Sequence, residues 1–126
     1  MNNTLELHPW YGDETHSNSF SDIDGKGQFW HFGPNRTADC VIFSDEADPR
    51  IALVTRKDNG LLALPGGFID LGETALVAAI REAHEEIGVV LDEAQAEKIY
   101  DGPVADHRAT RQAWPHTTAF RFTIPP

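Results

Sequence analysis

The chain has little that would tie it to an oxidising compartment, a membrane or a nucleic acid. It has one cysteine, Cys40, so no internal disulfide can form, which points to a reducing compartment. Cys40 lies in an apolar, strand-like run and reads as a small core residue. No apolar run approaches the length of a membrane span. The start, MNNTLELHPWYGDETHSNSF, has neither the basic stretch nor the apolar centre of a secretory signal, and it lacks the arginines of a mitochondrial presequence. The expected location is therefore cytoplasmic. Basic residues are also scarce: 10 Lys and Arg against 20 Asp and Glu leave a net charge of −10. A nucleic acid or an anionic membrane needs a basic face, so neither is an expected partner. A small anionic substrate is still compatible, because bound metal ions reverse the local potential. With 126 residues, 40% of them hydrophobic, the chain has room for one domain with a modest core.

Residues 1–27 are polar and read as an irregular arm with three aromatic anchors, Trp10, Tyr11 and Phe20. Residues 28–126 read as the folded domain. A short aromatic run, Gln28 to Phe32, looks strand-like. Ala38 to Ser44 and Arg50 to Arg56 are β-rich runs separated by an acidic loop. Lys57-Asp58-Asn59-Gly60 signals a turn, and Leu61 to Leu64 leads into Pro65-Gly66-Gly67. A helix is expected over roughly Glu73 to Ile87. Ala96 to Asp101 and Thr117 to Ile124 are expected strands, the latter with Phe120, Phe122 and Ile124 alternating against Ala119, Arg121 and Thr123. Strands, one long helix and further strands imply a mixed α/β (α+β) sandwich.

The segment GFIDLGETALVAAIREAHEEIGV, residues 67–89, carries the chemistry. Leu76, Ala79, Ile80, Ala83 and Ile87 recur at helical spacing and face a core. Glu82, Glu85 and Glu86 then fall together on another face, three and four residues apart. Three like charges so close repel one another, and only Arg81 interrupts them, so a divalent cation is the natural neutraliser. Carboxylates with a backbone carbonyl suit Mg²⁺ or Mn²⁺, which favour oxygen ligands. Gly66-Gly67 allows a turn whose carbonyl can point at the same ion. Gly88 is placed to end the helix. His84 lies among the glutamates, but a hard cation disfavours imidazole, so it reads as a bystander.

The spacing of Gly67, Glu73, Arg81-Glu82, Glu85-Glu86 and Gly88 fits G-x5-E-x7-R-E-U-x-E-E-x-G-U at every fixed position, with Ala83 and Val89 at the U positions. The segment resembles the Nudix box, and the chain is similar to the Nudix hydrolases. Two further segments resemble the ADP-ribose pyrophosphatases of mitochondrial type and the Nudix-homology domain of the ADP-ribose-gated cation channel. One is Gly33-Pro34-Asn35-Arg36-Thr37-Ala38-Asp39, which is expected to precede the first core strand. The other is Asp106-His107-Arg108-Ala109-Thr110-Arg111-Gln112-Ala113-Trp114, with Thr117 following. The approach RKDNGLLALPGG is similar as well, so the likeness covers about residues 30–120.

The resemblance implies a mixed sheet sandwiched between helices. It implies a Mg²⁺- or Mn²⁺-dependent hydrolysis of a nucleoside diphosphate derivative, ADP-ribose giving AMP and ribose 5-phosphate. Glu82, Glu85, Glu86 and the Gly66 carbonyl would hold metal, Arg81 would orient the glutamates, and Glu73 would brace the loop to the helix. A helix glutamate or Asp106 would take the proton of the attacking water. Asp106, Arg108 and Trp114 would contact substrate, as would Asn35 and Asp39. Each of these five also has a plainer reading: a local Asp-x-Arg ion pair, a core Trp before Pro115, and turn caps at Asn35 and Asp39. Another nucleoside diphosphate derivative is the nearest alternative substrate, although no SQPWPFPxS-like array suggests NADH. A non-catalytic ADP-ribose sensor is the alternative of a different class, and it is disfavoured because the box is intact. The chain stops where the family fold adds another strand and a C-terminal helix. The expectation is a fragment or an unusually short product, with an uncovered sheet face that the arm or a second copy in a homodimer would cover.

Overall fold

In the computed structural model residues 5–126 are described. The strands are β1 (Gly33–Ser44), β2 (Val54–Thr55), β3 (Leu62–Ala63), β4 (Gly66–Phe68), β5 (Glu97–Pro103) and β6 (Ala113–Ile124), and the one α-helix among the described residues is α1 (Ala75–Ile87). A mixed four-stranded sheet has the order β4-β1-β6-β5, and β2 and β3 form a separate antiparallel pair. The fold is thus mixed α+β, as expected, with one α-helix among the described residues. By contacts the chain divides into two compact units, one of Met1–Arg36 with Gly102–Thr117 and one of Thr37–Asp101 with Thr118–Pro126.

The second unit is built around small side chains. Ala38, Cys40 and Ile42 of β1 are fully buried, as are Ala78, Ala79 and Ala83 of α1, and Leu91, Phe120 and Phe122 complete the core. With methyl groups on both sides, helix and strand approach closely enough for the Cys40 thiol to donate to the Ala79 carbonyl at 3.1 Å. Burial first, and then the nearby carboxylates of Asp39, Glu86 and Glu82, push that thiol up to about 12, so it stays protonated and unreactive. Thr74 caps α1 by accepting from the Val77 amide at 3.1 Å, and Gly88 ends it in the left-handed conformation at φ 71°. That end is where the glycine signal placed it.

The first unit packs Phe29, Ala109, Ala113 and Trp114, with Phe20 against them. His8 is 2% exposed and stacks on Phe20 with ring centres 4.1 Å apart. Its Nδ1 accepts from the Trp10 amide at 3.0 Å, and its Nε2 finds no partner. Charging this ring would strand a cation in an aromatic core. Burial, with the repulsion of His16 added, therefore drops its pKa to about 4.

Several expected elements moved. Gln28 to Phe32 forms no strand; it is turn and bend, and Phe29 is drawn into the core instead. The Gly33-Pro34-Asn35 segment does not precede the first core strand but opens it, so β1 runs twelve residues. Of Arg50 to Arg56, only Val54–Thr55 pairs as a strand, with a single bridge from Ile51 to Phe43. Of the three aromatic anchors, Phe20 packs on the core as expected, whereas Tyr11 is 49% exposed. The buried anchor of the arm is His8, which polarity had masked.

Candidate active site

The site in the second unit is organised by one guanidinium. Arg81 forks onto Glu73, with Nε donating to Oε2 at 2.7 Å and Nη2 to Oε1 at 2.9 Å. Its Nη1 donates to Glu82 at 2.9 Å and to Glu85 at 3.2 Å, and Nη2 reaches the Phe68 carbonyl at 3.3 Å. Asp70 adds a fourth carboxylate at 3.4 Å. Glu73 also accepts from the Asp70 amide at 2.9 Å, which ties the loop after β4 to the helix. Arg81 holds the Glu73 carboxyl below its usual range by hydrogen bonding first of all. In return Glu73, and then Glu82, keep the guanidinium firmly charged. Glu73 thus links the loop to α1, and Arg81 contacts both Glu82 and Glu85.

Gly66 and Gly67 serve the site differently from the expected turn. Both lie in β4, and neither has a positive φ. They are glycines because neighbours approach so closely. A Cβ on Gly66 would collide with the Ala38 carbonyl and the Asp39 carboxylate, and one on Gly67 would come within 2.8 Å of the Glu82 carboxyl carbon. The atom of Gly66 seen to join the helix is its amide, which donates to Glu86 Oε1 at 2.9 Å, rather than its carbonyl.

Glu86 is the carboxylate that Arg81 does not reach. Burial raises its pKa, and the adjoining carboxylates of Glu82 and Asp39 add to the rise, while the Gly66 amide opposes it. Glu82 thus lies between the Arg81 guanidinium and a second carboxylate whose charged form it disfavours. Among the described residues no group of three or more His, Cys, Asp or Glu side chains converges on a point where an ion could sit; Arg81 holds Glu82 and Glu85. The donor chemistry nonetheless fits a hard divalent ion: the groups are carboxylate oxygens, crowded enough to raise one pKa, and His84 is exposed and adds no nitrogen contact. A cleft of about 420 Å³ opens on Glu85, Glu86 and Gly66, with Val54 to Lys57 on its other side.

The residues expected to bind substrate fall apart in space and in role. Asp39 pairs with Gly66 across β1 and β4 and lies close enough to Glu86 to raise it, so it belongs to the carboxylate group of the second unit. The other four are in the first unit. Asp106 and Arg108 close on each other in a fork, with Nε to Oδ1 at 3.0 Å and Nη2 to Oδ2 at 2.7 Å, and the guanidinium stands 5.4 Å from the Phe29 ring centre. Burial works against the Asp106 carboxylate, but the hydrogen bonds from Arg108 outweigh it and leave its pKa below the usual range. Asn35 is buried; its amide donates to the carbonyls of His31 and Gly33, and its oxygen accepts from the His31 amide. Trp114, at 1% exposure, is a core ring with no free face for a base. For Asn35 and Trp114 the plainer readings describe the structure, because burial uses up the groups a ligand would need.

Residues 33–123 match the NUDIX domain model, and the chain belongs to that family. Such hydrolases generally use divalent metal ions and bind small nucleotide derivatives. A Caenorhabditis elegans protein classed by name with the nudix hydrolases is 37% identical over 110 residues, covering 79% of this chain and 42% of that protein. The mitochondrial ADP-ribose pyrophosphatase of Rattus norvegicus is 32% identical over 130 residues, covering 78% of this chain and 37% of its own. The NUDIX domain of Shewanella oneidensis NrtR, solved with ADP ribose, aligns with a TM-score of 0.61 at 25% identity, covering 75% of this chain and 62% of that one. The chain spans less than half the length of these two curated relatives.

Proposed function

We propose that the chain is a divalent-metal-dependent hydrolase of phosphoric anhydride bonds whose preferred substrate is ADP-ribose, released as AMP and ribose 5-phosphate. The observation that carries the hydrolase reading is the Arg81 constellation. One guanidinium fixes Glu73, Glu82 and Glu85 and leaves Glu86 on a cleft, beside a strand whose Gly67 lies too close to the Glu82 carboxyl for a side chain. The choice of ADP-ribose is supported by the two flanking segments and by the rat and Shewanella proteins.

Glu82, Glu85 and Glu86, with the Gly66 carbonyl, would hold Mg²⁺ or Mn²⁺, which supplies charge stabilisation at the diphosphate and a more acidic water. Arg81 keeps two of these carboxylates from drifting apart by their own repulsion. Gly67 leaves the space that the Glu82 carboxylate occupies. A helix glutamate accepts the proton that the attacking water gives up.

AMP release from ADP-ribose, NADH, diadenosine polyphosphates and dGTP, with and without Mg²⁺, tests this reading. ADP-ribose should give the highest kcat/KM, and a chelator should abolish turnover. A nucleoside triphosphate as best substrate would overturn the choice of ADP-ribose. ADP-ribose binding without turnover of any substrate would replace the enzyme by a sensor.

A further inference from the structure

The cleft beside the acidic helix is lined on the hairpin side by Val54 to Lys57, Ala63 and Leu64. β2 and β3 pair with Val54 opposite Ala63 and Thr55 opposite Leu62. The hairpin tip is closed by the Arg56 amide donating to Leu61 at 2.8 Å and the Gly60 amide donating to Arg56 at 2.9 Å. This closure places Arg56 and Lys57 on the cleft that Glu85 and Glu86 line from the helix. Three arginines of the same unit are engaged elsewhere: Arg81 by the box glutamates, Arg50 by Glu46, and Arg121 over the Phe43 ring. A chain of net charge −10 thus puts two adjacent positive charges on one wall of a cleft whose other wall is acidic.

A cleft with one acidic and one basic wall suits a ligand that is itself a cation–anion pair. Its volume lies in the range of small-molecule sites. Arg56 is held at the rim by Asp58, through Nε to Oδ1 at 2.9 Å and Nη2 to Oδ2 at 2.7 Å. That carboxylate presents the same two-oxygen edge a phosphate would present to a guanidinium. We propose that Arg56 and Lys57 position the diphosphate of the substrate against the acidic helix, Lys57 as a point charge and Arg56 as a fork from which the phosphate displaces Asp58. The proposal rests on the hydrolase reading of this cleft and adds the residues that grip the anion.

Calorimetric titration of the full chain with inorganic pyrophosphate in Mg²⁺, together with ADP-ribose kinetics, tests it. Lys57→Gln and Arg56→Gln should each weaken pyrophosphate binding and raise KM by about tenfold, with kcat within about threefold of the parent. Asp58→Asn should do the reverse and tighten pyrophosphate by about threefold, because it removes Arg56's competing anion. A purely structural Arg56–Asp58 pair would give no such gain. If Arg56→Gln fails to fold, Lys57→Gln and Asp58→Asn decide. Lys57-dependent pyrophosphate binding without cleavage of any phosphoanhydride would uphold the gripping pair and sink the hydrolase reading. ADP-ribose cleavage with unchanged KM and pyrophosphate affinity in the variants would do the opposite. A parent chain that does not bind pyrophosphate overturns the proposal outright.

Discussion

The carboxylates of the first unit and those around α1 in the second are treated in opposite ways. In the first, acids and arginines meet nearly one to one: Asp106 closes on Arg108, and Arg111 takes Asp24 at 2.6 Å and Asp22 at 3.4 Å. In the second, a single Arg81 serves Glu73, Glu82, Glu85 and Asp70, and Glu86 is left outside with its pKa raised. A carboxylate matched by its own arginine has little unmet need for positive charge. An excess of crowded carboxylates has an unmet need for positive charge, and that need can recruit a metal. The difference separates charge that holds the fold from charge that is available for chemistry.

The sharpest way to break the second unit is at Gly66. Gly66→Ala drives a methyl group into the backbone of Ala38 and Asp39, which cannot swing away, and should cost roughly 3 kcal/mol or more of stability. Gly67→Ala meets only the far end of the Glu82 side chain, which can move. It should leave the melting temperature within a few degrees of the parent while lowering kcat. Equal melting temperatures for the two variants would show that the close approach is not what selects these glycines.

The first unit should break by acid. The folded His8 titrates near 4 and the unfolded one near 6.5, so below 6.5 the unfolded chain binds the extra proton. Stability contributed by the neutral ring is complete above pH 6.5, falls with pH, and has lost about 3 kcal/mol by pH 4. Denaturant titrations across that range should show the loss in the parent and a flatter profile in His8→Phe. Matching slopes in the two proteins would remove His8 as its cause.

For chemistry the comparison turns on Glu86. Glu86→Gln keeps its size and removes its charge. It should lower kcat about a hundredfold, about 2.7 kcal/mol of barrier, with the fold intact. A variant within threefold of the parent would mean that the excess carboxylate is not catalytic. The smallest effect is expected from the matched pair: Asp106→Asn should lower stability by only about 1 kcal/mol, since Arg108 keeps neutral acceptors and its contact with Phe29. A loss of several kcal/mol there would show that the pair is not the mild structural clasp it resembles.

Much of the second unit was legible in the sequence because its elements are local. Helical spacing, a capping glycine and adjacent glutamates depend on neighbours a few residues apart, so α1 falls where the pattern put it, with Arg81 beside the acids it binds. The turn at Lys57 to Gly60 was legible for the same reason. What the sequence could not show was which groups distant contacts would consume. Asn35 and Trp114 have the chemistry of ligand contacts, and only burial assigned their polar atoms and faces to the protein itself. His8 looks like a polar residue in a polar arm until Phe20 and Trp114 close around it. The glycines of β4 were visible, but their reason was not, because a missing Cβ matters only once β1 and α1 are packed against it. Local pattern thus determined the helix, its ends and its charge. Long-range packing decided which polar groups remained free to act, since each buried donor or acceptor must find a partner and can then serve no ligand.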